Sequence, residues 1–308
     1  VTCCRGGRRV VAPAPGGLLV VELGGEAEEA AALVAALAHL LPEPPVASPA
    51  RPGGSGAPGL LGTAPAMQEL FARLELAGAS GTAVHIFGET GSGKELVARA
   101  VHQRSRRAAR PFVAVNASSL SDELFESELF GHVRGAFTGA LNDRPGLVAE
   151  AEGGTLFLDE VADLSLKAQA KLLRFCQELE YRRVGETVLR RANVRIVSAA
   201  NQRLEALVAA GRFREDLMHR LLVMQLELPP LRARREDLVP LARHFLRAAA
   251  AREGRPAPEL SRPAAELLVA HDWPGNVREL EGEMACAVAL CEGARIEPGH
   301  LSKRLRTP

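Results

Sequence analysis

Between residues 83 and 228, short apolar runs rich in β-branched and aromatic side chains alternate with stretches of helical spacing. The runs are Ala83–Phe87, Phe112–Asn116, Thr155–Asp159, Val194–Ala200 and Val223–Leu228. They are nearly continuous rather than alternating in polarity, as strands buried on both faces require. Five such strands separated by helices predict an α/β fold with a five-stranded parallel sheet flanked by helices. From Leu231 onward the strand signal stops. Glu236–Glu253, Ser261–His271 and Val277–Cys291 predict helices, the second opened by a Ser261 cap with Pro263 in its first turn. A small α-helical domain therefore follows the sheet.

Upstream, Leu18–Leu23 predicts a short strand and Glu26–Leu41 an Ala-rich helix, too little chain for an independent core. Ten of the eighteen residues from Pro42 to Gly59 are Pro or Gly, the composition of a linker. The expected organisation is a remnant of a further domain at 1–41, a linker at 42–59, the α/β domain at 60–230 and the helical domain at 231–305.

Composition narrows the function classes. The 38 Lys and Arg balance 37 Asp and Glu, leaving a formal net charge of +1, so polyanion binding is not the default expectation. The five cysteines (Cys3, Cys4, Cys176, Cys286 and Cys291) form no CxxC pair or His-flanked set, which argues against a disulfide framework or a zinc site and fits the cytoplasm. The most apolar run, Ala30–Leu41, is short of the roughly 20 residues that span a bilayer. Only four basic residues are lysines, and one of them, Lys94, closes a glycine-rich motif.

That motif, Gly88-Glu89-Thr90-Gly91-Ser92-Gly93-Lys94-Glu95, follows the first predicted strand and opens a helix over Leu96–Ser105. It is a P-loop. Glycines let the backbone N–H groups converge on phosphate, the helix N-terminus adds a favourable dipole, and Lys94 reaches the β- and γ-phosphates. Glu95 stands where the general pattern has Ser or Thr as a magnesium ligand. The matching half of such a site is a buried strand ending in carboxylates, which Leu156–Glu160 supplies. Asp159 is placed to hold Mg2+, directly or through water, and Glu160 to act as general base toward the attacking water in ATP hydrolysis.

Glu128-Leu129-Phe130-Gly131-His132 followed by Gly135-Ala136-Phe137-Thr138-Gly139-Ala140 carries the chain further. With these residues the sequence closely resembles the AAA+ ATPase domain of bacterial enhancer-binding proteins, the NtrC-like activators of sigma-54 RNA polymerase. The resemblance runs from about Leu60 to Leu305. It includes Leu61-Gly62 with Met67, Asn116, Gly153–Glu160, Gly211–Arg214, Leu228–Leu231 and Trp273–Leu280. It implies an AAA+ fold with a C-terminal lid, and a regulatory origin for residues 1–41. Glu is usual after the P-loop lysine in this family, so Glu95 is no anomaly.

The resemblance further implies an ATPase that assembles into a hexameric or heptameric ring and drives closed promoter complexes open. Leu61 and Gly62 would line the nucleotide with the P-loop. Asn116 would orient Glu160, Asn201 would sense the γ-phosphate, and Arg214 and Arg220 would act on the neighbouring subunit's nucleotide. Gly135–Ala140 would grip the sigma-54 factor, and its single exposed aromatic among small residues suits a contact tip. The sequence pattern reads Asn276 as an N-cap with Glu279 closing a capping box. Arg278 then falls in the helix's first turn, where a cation opposes the dipole, and the family's use for it is contact with nucleotide.

Two positions depart from the family. Ala200 replaces the usual Thr before Asn201, and Val133 replaces a common Glu beside the Gly135–Ala140 loop. They motivate an alternative, a nucleotide-binding interaction module with weak or uncoupled hydrolysis. Another AAA+ machine, such as a helicase loader or chelatase, leaves Gly135–Ala140 unexplained. The chain ends at Pro308, leaving no room for the family's helix-turn-helix, so sequence-specific DNA binding is not expected of it.

Overall fold

The structure, a computed structural model, describes residues 60–119 and 121–306, together with the strands Cys3–Cys4, Gly7–Ala14 and Gly17–Leu23. The chain divides into two compact units, Val1–Pro52 and Gly53–Pro308. In the first, the three strands form an antiparallel sheet with Gly7–Ala14 in the middle. Gly17–Leu23 matches the strand expected at Leu18–Leu23. Its partner Gly7–Ala14 is not among the strands the pattern predicts, because Pro13 interrupts the short apolar run that follows Arg8 and Arg9; Pro13 pairs with Leu18 near the hairpin end. The helix expected at Glu26–Leu41 and the linker at 42–59 lie outside the described residues.

The second unit is built on five parallel strands: β1 (Val84–Phe87), β2 (Phe112–Asn116), β3 (Thr155–Asp159), β4 (Arg195–Ala200) and β5 (Met224–Glu227). Their order across the sheet is β5-β1-β4-β3-β2. Side chains alternate faces along each strand. Leu156 and Leu158 of β3 therefore enter one core with Ile196 and Ala200, while Phe157 enters the opposite core with Val197 and Ala199. This two-sided burial is why the sequence shows continuous apolar runs. Helices α1 (Pro65–Ala79) and α2 (Lys94–Gln103) cover the Phe157 face. Helices α3 (Asp122–Phe130), α4 (Leu166–Glu178) and α5 (Glu215–Leu221) cover the other.

After Leu228, whose N–H still bonds to Phe87 O at 2.8 Å, no strand joins the sheet among the described residues. Helices α6 (Leu238–Arg252), α7 (Arg262–Ala270) and α8 (Asn276–Leu290) enclose a third core around Trp273. Trp273 is fully buried, and its indole N–H donates to Leu268 O at 2.8 Å, so the one polar atom of that ring is satisfied. Ser261 caps α7 as expected, its Oγ accepting from Ala264 N. The start of α8 corrects the sequence reading. The N-cap position is Gly275, whose N–H is held by Glu279 Oε2 at 2.8 Å, and Asn276 is the first helical residue, at φ 53°. Its side chain is used elsewhere, on the P-loop. Among the described residues no helix is long and apolar enough to cross a membrane.

Candidate nucleotide-binding site

Parallel strands end together, so the sheet's carboxyl edge collects whatever follows each strand. The register places Ala200 beside Phe87 and Asn116 beside Asp159, which brings the residues after β1, β3 and β4 to one crevice. The P-loop bridges β1 and α2. Gly88 N–H is anchored to Ala200 O at 3.2 Å, and Ser92 folds the loop over by donating from N (3.2 Å) and Oγ (2.7 Å) to Glu89 O.

Lys94, the first residue of α2, is 6% exposed. Its Nζ donates to Gly88 O at 3.0 Å and pairs with Glu160 Oε1 at 3.0 Å. Glu160 follows β3 at φ 53°, a backbone region uncommon for a non-glycine residue and met at functional sites. Its second oxygen accepts from Asn201 N at 3.2 Å, and its own N–H donates to Asp159 Oδ1 at 3.1 Å. Asn201 Nδ2 donates to Thr90 Oγ1 at 3.2 Å, while its Oδ1 is buried without a partner. Asn116 Oδ1 accepts from Ser118 N and Oγ at 2.9 and 2.7 Å.

The electrostatics follow from this crowding. Burial, and then the adjacent Glu160 charge, push the Asp159 carboxyl above its usual range, with Lys94 opposing. Behind the loop, His85 of β1 is pushed down to about 4 by burial and by Lys94, so the imidazole is neutral and shares a 2.9 Å hydrogen bond with Ser198 Oγ. A buried cation beside two carboxylates and an unpaired amide oxygen is a donor set suited to phosphate oxygens and a hard divalent cation.

The other predicted residues make their contacts outside the Lys94–Glu160–Asn201 cluster. Glu95 is turned onto Arg99, at 2.7 Å. Leu61 packs against the Trp273 core, and Gly62 is pressed so closely that a Cβ there would lie 2.8 Å from Met67 Cγ and 3.1 Å from Asp237 Oδ2. Arg278 is exposed, but its N–H donates to Gly91 O at 3.2 Å. Arg214 is the N-cap residue of α5 and Arg220 lies in its last turn; both are exposed, and neither hydrogen-bonds to the Lys94 cluster. Arg214 is engaged by Asp216 at 2.8 Å.

Four residues that the sequence did not single out for this site also converge on it. Asp237 Oδ1 accepts from Thr63 N, Thr63 Oγ1 and Ala64 N, fixing the entry to α1. Buried Arg234 donates to Ser92 O at 3.2 Å. Arg232 makes two bonds to the Glu89 carboxylate at 2.6 and 2.8 Å, and Asn276 donates to the same carboxylate at 3.1 Å. Within the charged run Arg232–Asp237 nothing distinguishes these groups from a solvated surface. Their roles are set by partners more than 140 residues away.

The Gly135–Ala140 loop leaves from a two-residue strand pair, Gly131–His132 with Arg144–Pro145. Gly135 N–H closes it on Ala140 O at 2.9 Å. Phe137 is 43% exposed, with its ring edge-on to His132 at 5.0 Å, and His132 Nδ1 lies 2.8 Å from Ser127 Oγ of α3. Val133 N–H bonds to Val184 O at 3.1 Å, and a Cβ on Gly185 would meet Ala136 at 2.8 Å. The loop base is thus seated on the 184–185 backbone, and Val133 brings no charge to that contact.

The chain's resemblance to known proteins agrees with this geometry. Residues 60–227 match the sigma-54 interaction domain and residues 232–308 the AAA+ ATPase lid domain. Over 243 residues the chain is 49% identical to the alginate biosynthesis transcriptional regulatory protein AlgB of Pseudomonas aeruginosa, covering 79% of this chain and 54% of that protein. It is 47% identical to the transcriptional regulatory protein ZraR of Escherichia coli, covering 79% and 55%. The chain thus spans about half the length of these curated relatives. Crystal structures of NtrX from Brucella abortus superpose with TM-scores of 0.75 in complex with ADP and 0.74 in complex with ATP. Each is 35% identical and covers 90% of this chain, and 60% and 61% of the respective NtrX chains. A P-loop on a 5-1-4-3-2 parallel sheet, a helical lid and the Gly135–Ala140 loop, with these matches, place the chain in the AAA+ ATPase family of sigma-54-dependent transcriptional activators.

Proposed function

We propose that this chain binds and hydrolyses ATP and uses the cycle to act on the sigma-54 factor of RNA polymerase, converting closed promoter complexes to open ones. The observation that carries the reading is the convergence of Lys94, Asp159, Glu160 and Asn201 at one edge of the sheet. Binding of ADP and of ATP by the structurally similar NtrX supports it.

In this reading the P-loop amides of Gly88–Glu95 and the Lys94 ammonium take the phosphates, and Leu61 and Gly62 border the nucleotide. Glu160 takes a proton from water as its oxygen attacks the γ-phosphorus and the bond to the β-phosphate oxygen breaks, giving ADP and phosphate. Asp159 is the residue that would hold Mg2+, whose chemistry there is to offset charge on the phosphate oxygens. Its disfavoured negative charge beside Glu160 fits that use. Asn201 senses the γ-phosphate through its side chain, Asn116 helps orient Glu160, and Arg278 reads the nucleotide from the lid. Arg214 and Arg220 face outward and serve the neighbouring subunit of a hexameric or heptameric ring.

The Gly135–Ala140 loop is the sigma-54 contact. Phe137→Ala is expected to weaken sigma-54 binding in the nucleotide-loaded state by at least about thirtyfold, the loss of an aromatic hot spot of about 2 kcal/mol. Titration of labelled sigma-54 with the two proteins measures it, and equal affinities would remove the loop from the interface. A second reading, an interaction module whose hydrolysis is uncoupled, is favoured by Val133 and Ala200. Val133 gives the loop base an apolar contact, and Ala200 is fully buried with no polar side-chain atom beside Asn201.

A further inference from the structure

Four consecutive P-loop residues are gripped from the lid side. The Glu89 carboxylate receives Arg232 and Asn276; Thr90 O accepts from Asn276 Nδ2 at 3.2 Å; Gly91 O accepts from Arg278 N at 3.2 Å; and Ser92 O accepts from Arg234 Nη2 at 3.2 Å. Asn276 is fully buried, and its Oδ1 accepts from Leu231 N at 2.8 Å, so one side chain joins the P-loop, the start of the lid segment and α8. At Gly91, φ is 76° and a Cβ would lie 2.4 Å from Gly275 O. A side chain there would therefore wedge the lid away as well as strain the turn.

Peptide bonds among the described residues are all trans, and a trans peptide points its N–H opposite to its C=O. Carbonyls of Thr90 and Ser92 drawn toward the lid therefore aim the N–H groups of Gly91 and Gly93 the other way. Those amides belong to the set a P-loop offers to phosphate. Lid contacts and phosphate-binding geometry are two faces of the same peptide planes.

We propose that Arg232, clasping Glu89 together with Asn276, is a positioning residue that locks the lid to the P-loop and thereby sets the peptide orientation of its phosphate-binding amides. The inference rests on the nucleotide-binding reading above. A bidentate guanidinium–carboxylate pair fixes geometry as well as charge. The same contacts hold the Glu89 carboxyl down at about 2, through hydrogen bonds from Arg232 and Asn276, so the clasp stays charged at any neutral or mildly acidic pH. Arg232 is 44% exposed and sits in no hydrophobic core, so its removal leaves the fold intact.

The test is a double-mutant cycle read by release of a fluorescent methylanthraniloyl-ADP and by hydrogen exchange of the Arg278 amide. Arg232→Ala is expected to speed nucleotide release by about three- to tenfold, the scale of a half-exposed charge-assisted pair. It should also speed Arg278 exchange, and do neither in a Glu89→Ala background. Arg232→Lys should recover only part of the effect, because an ammonium cannot form the fork. Unchanged release and exchange in Arg232→Ala, or equal acceleration in both backgrounds, would overturn the clasp. A parent protein that binds no nucleotide would instead overturn the functional reading, and the exchange measurement would still decide the clasp.

Discussion

Glu160→Gln is expected to lower ATP turnover by about 10²–10⁴-fold, the range that a positioned general base contributes. In the structure the Glu160 carboxylate accepts from Lys94 Nζ through one oxygen and from Asn201 N–H through the other. An amide keeps the shape but accepts at only one of those positions, and it cannot take a proton from water. It also removes the charged partner of Lys94 in a nearly buried ion pair, leaving the ammonium with Gly88 O and available to phosphate. Nucleotide affinity should therefore hold or rise while phosphate release collapses. Phosphate release at saturating ATP, set beside equilibrium binding of a fluorescent analogue, checks both halves. Turnover within threefold of the parent would mean that another group activates the water.

Arg220→Ala is expected to cost about 10³–10⁵ in turnover, the range for an arginine supplied to a neighbouring phosphoryl-transfer site. Arg214→Ala should cost much less. The distinction comes from their surroundings. Arg214 is held by Asp216 through two bonds at 2.8 and 3.0 Å, whereas Arg220 is exposed at the last turn of α5 with no hydrogen-bond partner among the described residues. Mixing Arg220→Ala with Glu160→Gln should restore part of the activity. An interface in which the first contributes Glu160 and the second Arg220 is complete. Failure of the mixture, with both proteins still assembling, would contradict arginine supply across a subunit boundary.

The sheet was legible because its signal is local. The apolar runs Phe112–Asn116 and Thr155–Asp159 coincide end to end with β2 and β3, since buried parallel strands are apolar on both faces and end where polar residues begin. The turn from Gly88 to Lys94 was equally legible, as glycine spacing and a lone lysine are sequence properties. Pairing of Glu160 with Lys94 and Asn201 was not, because strand order had first to be known.

The lid face of the P-loop was less legible. Asn276 followed by an acidic residue three positions on is the pattern of a capped helix, yet its side chain finds Leu231, Glu89 and Thr90 while Glu279 caps Gly275. A left-handed Asn at the start of a helix is a tertiary decision. Arg232, Arg234 and Asp237 look like surface charge in sequence because nothing nearby reveals which of them is buried. His132 beneath Phe137, and the seat of the loop on Val184 and Gly185, depend on backbone pairing between segments about fifty residues apart.

In the proposed assembly, each hydrolysing site is completed by a neighbouring copy of the chain. Steady-state ATP turnover per subunit, measured across a protein concentration series, decides whether hydrolysis needs that neighbour. The expected result is a specific rate that rises with concentration toward a plateau, in step with assembly. A flat and negligible rate despite measurable ATP binding would contradict it, and would leave a nucleotide-binding interaction module in its place.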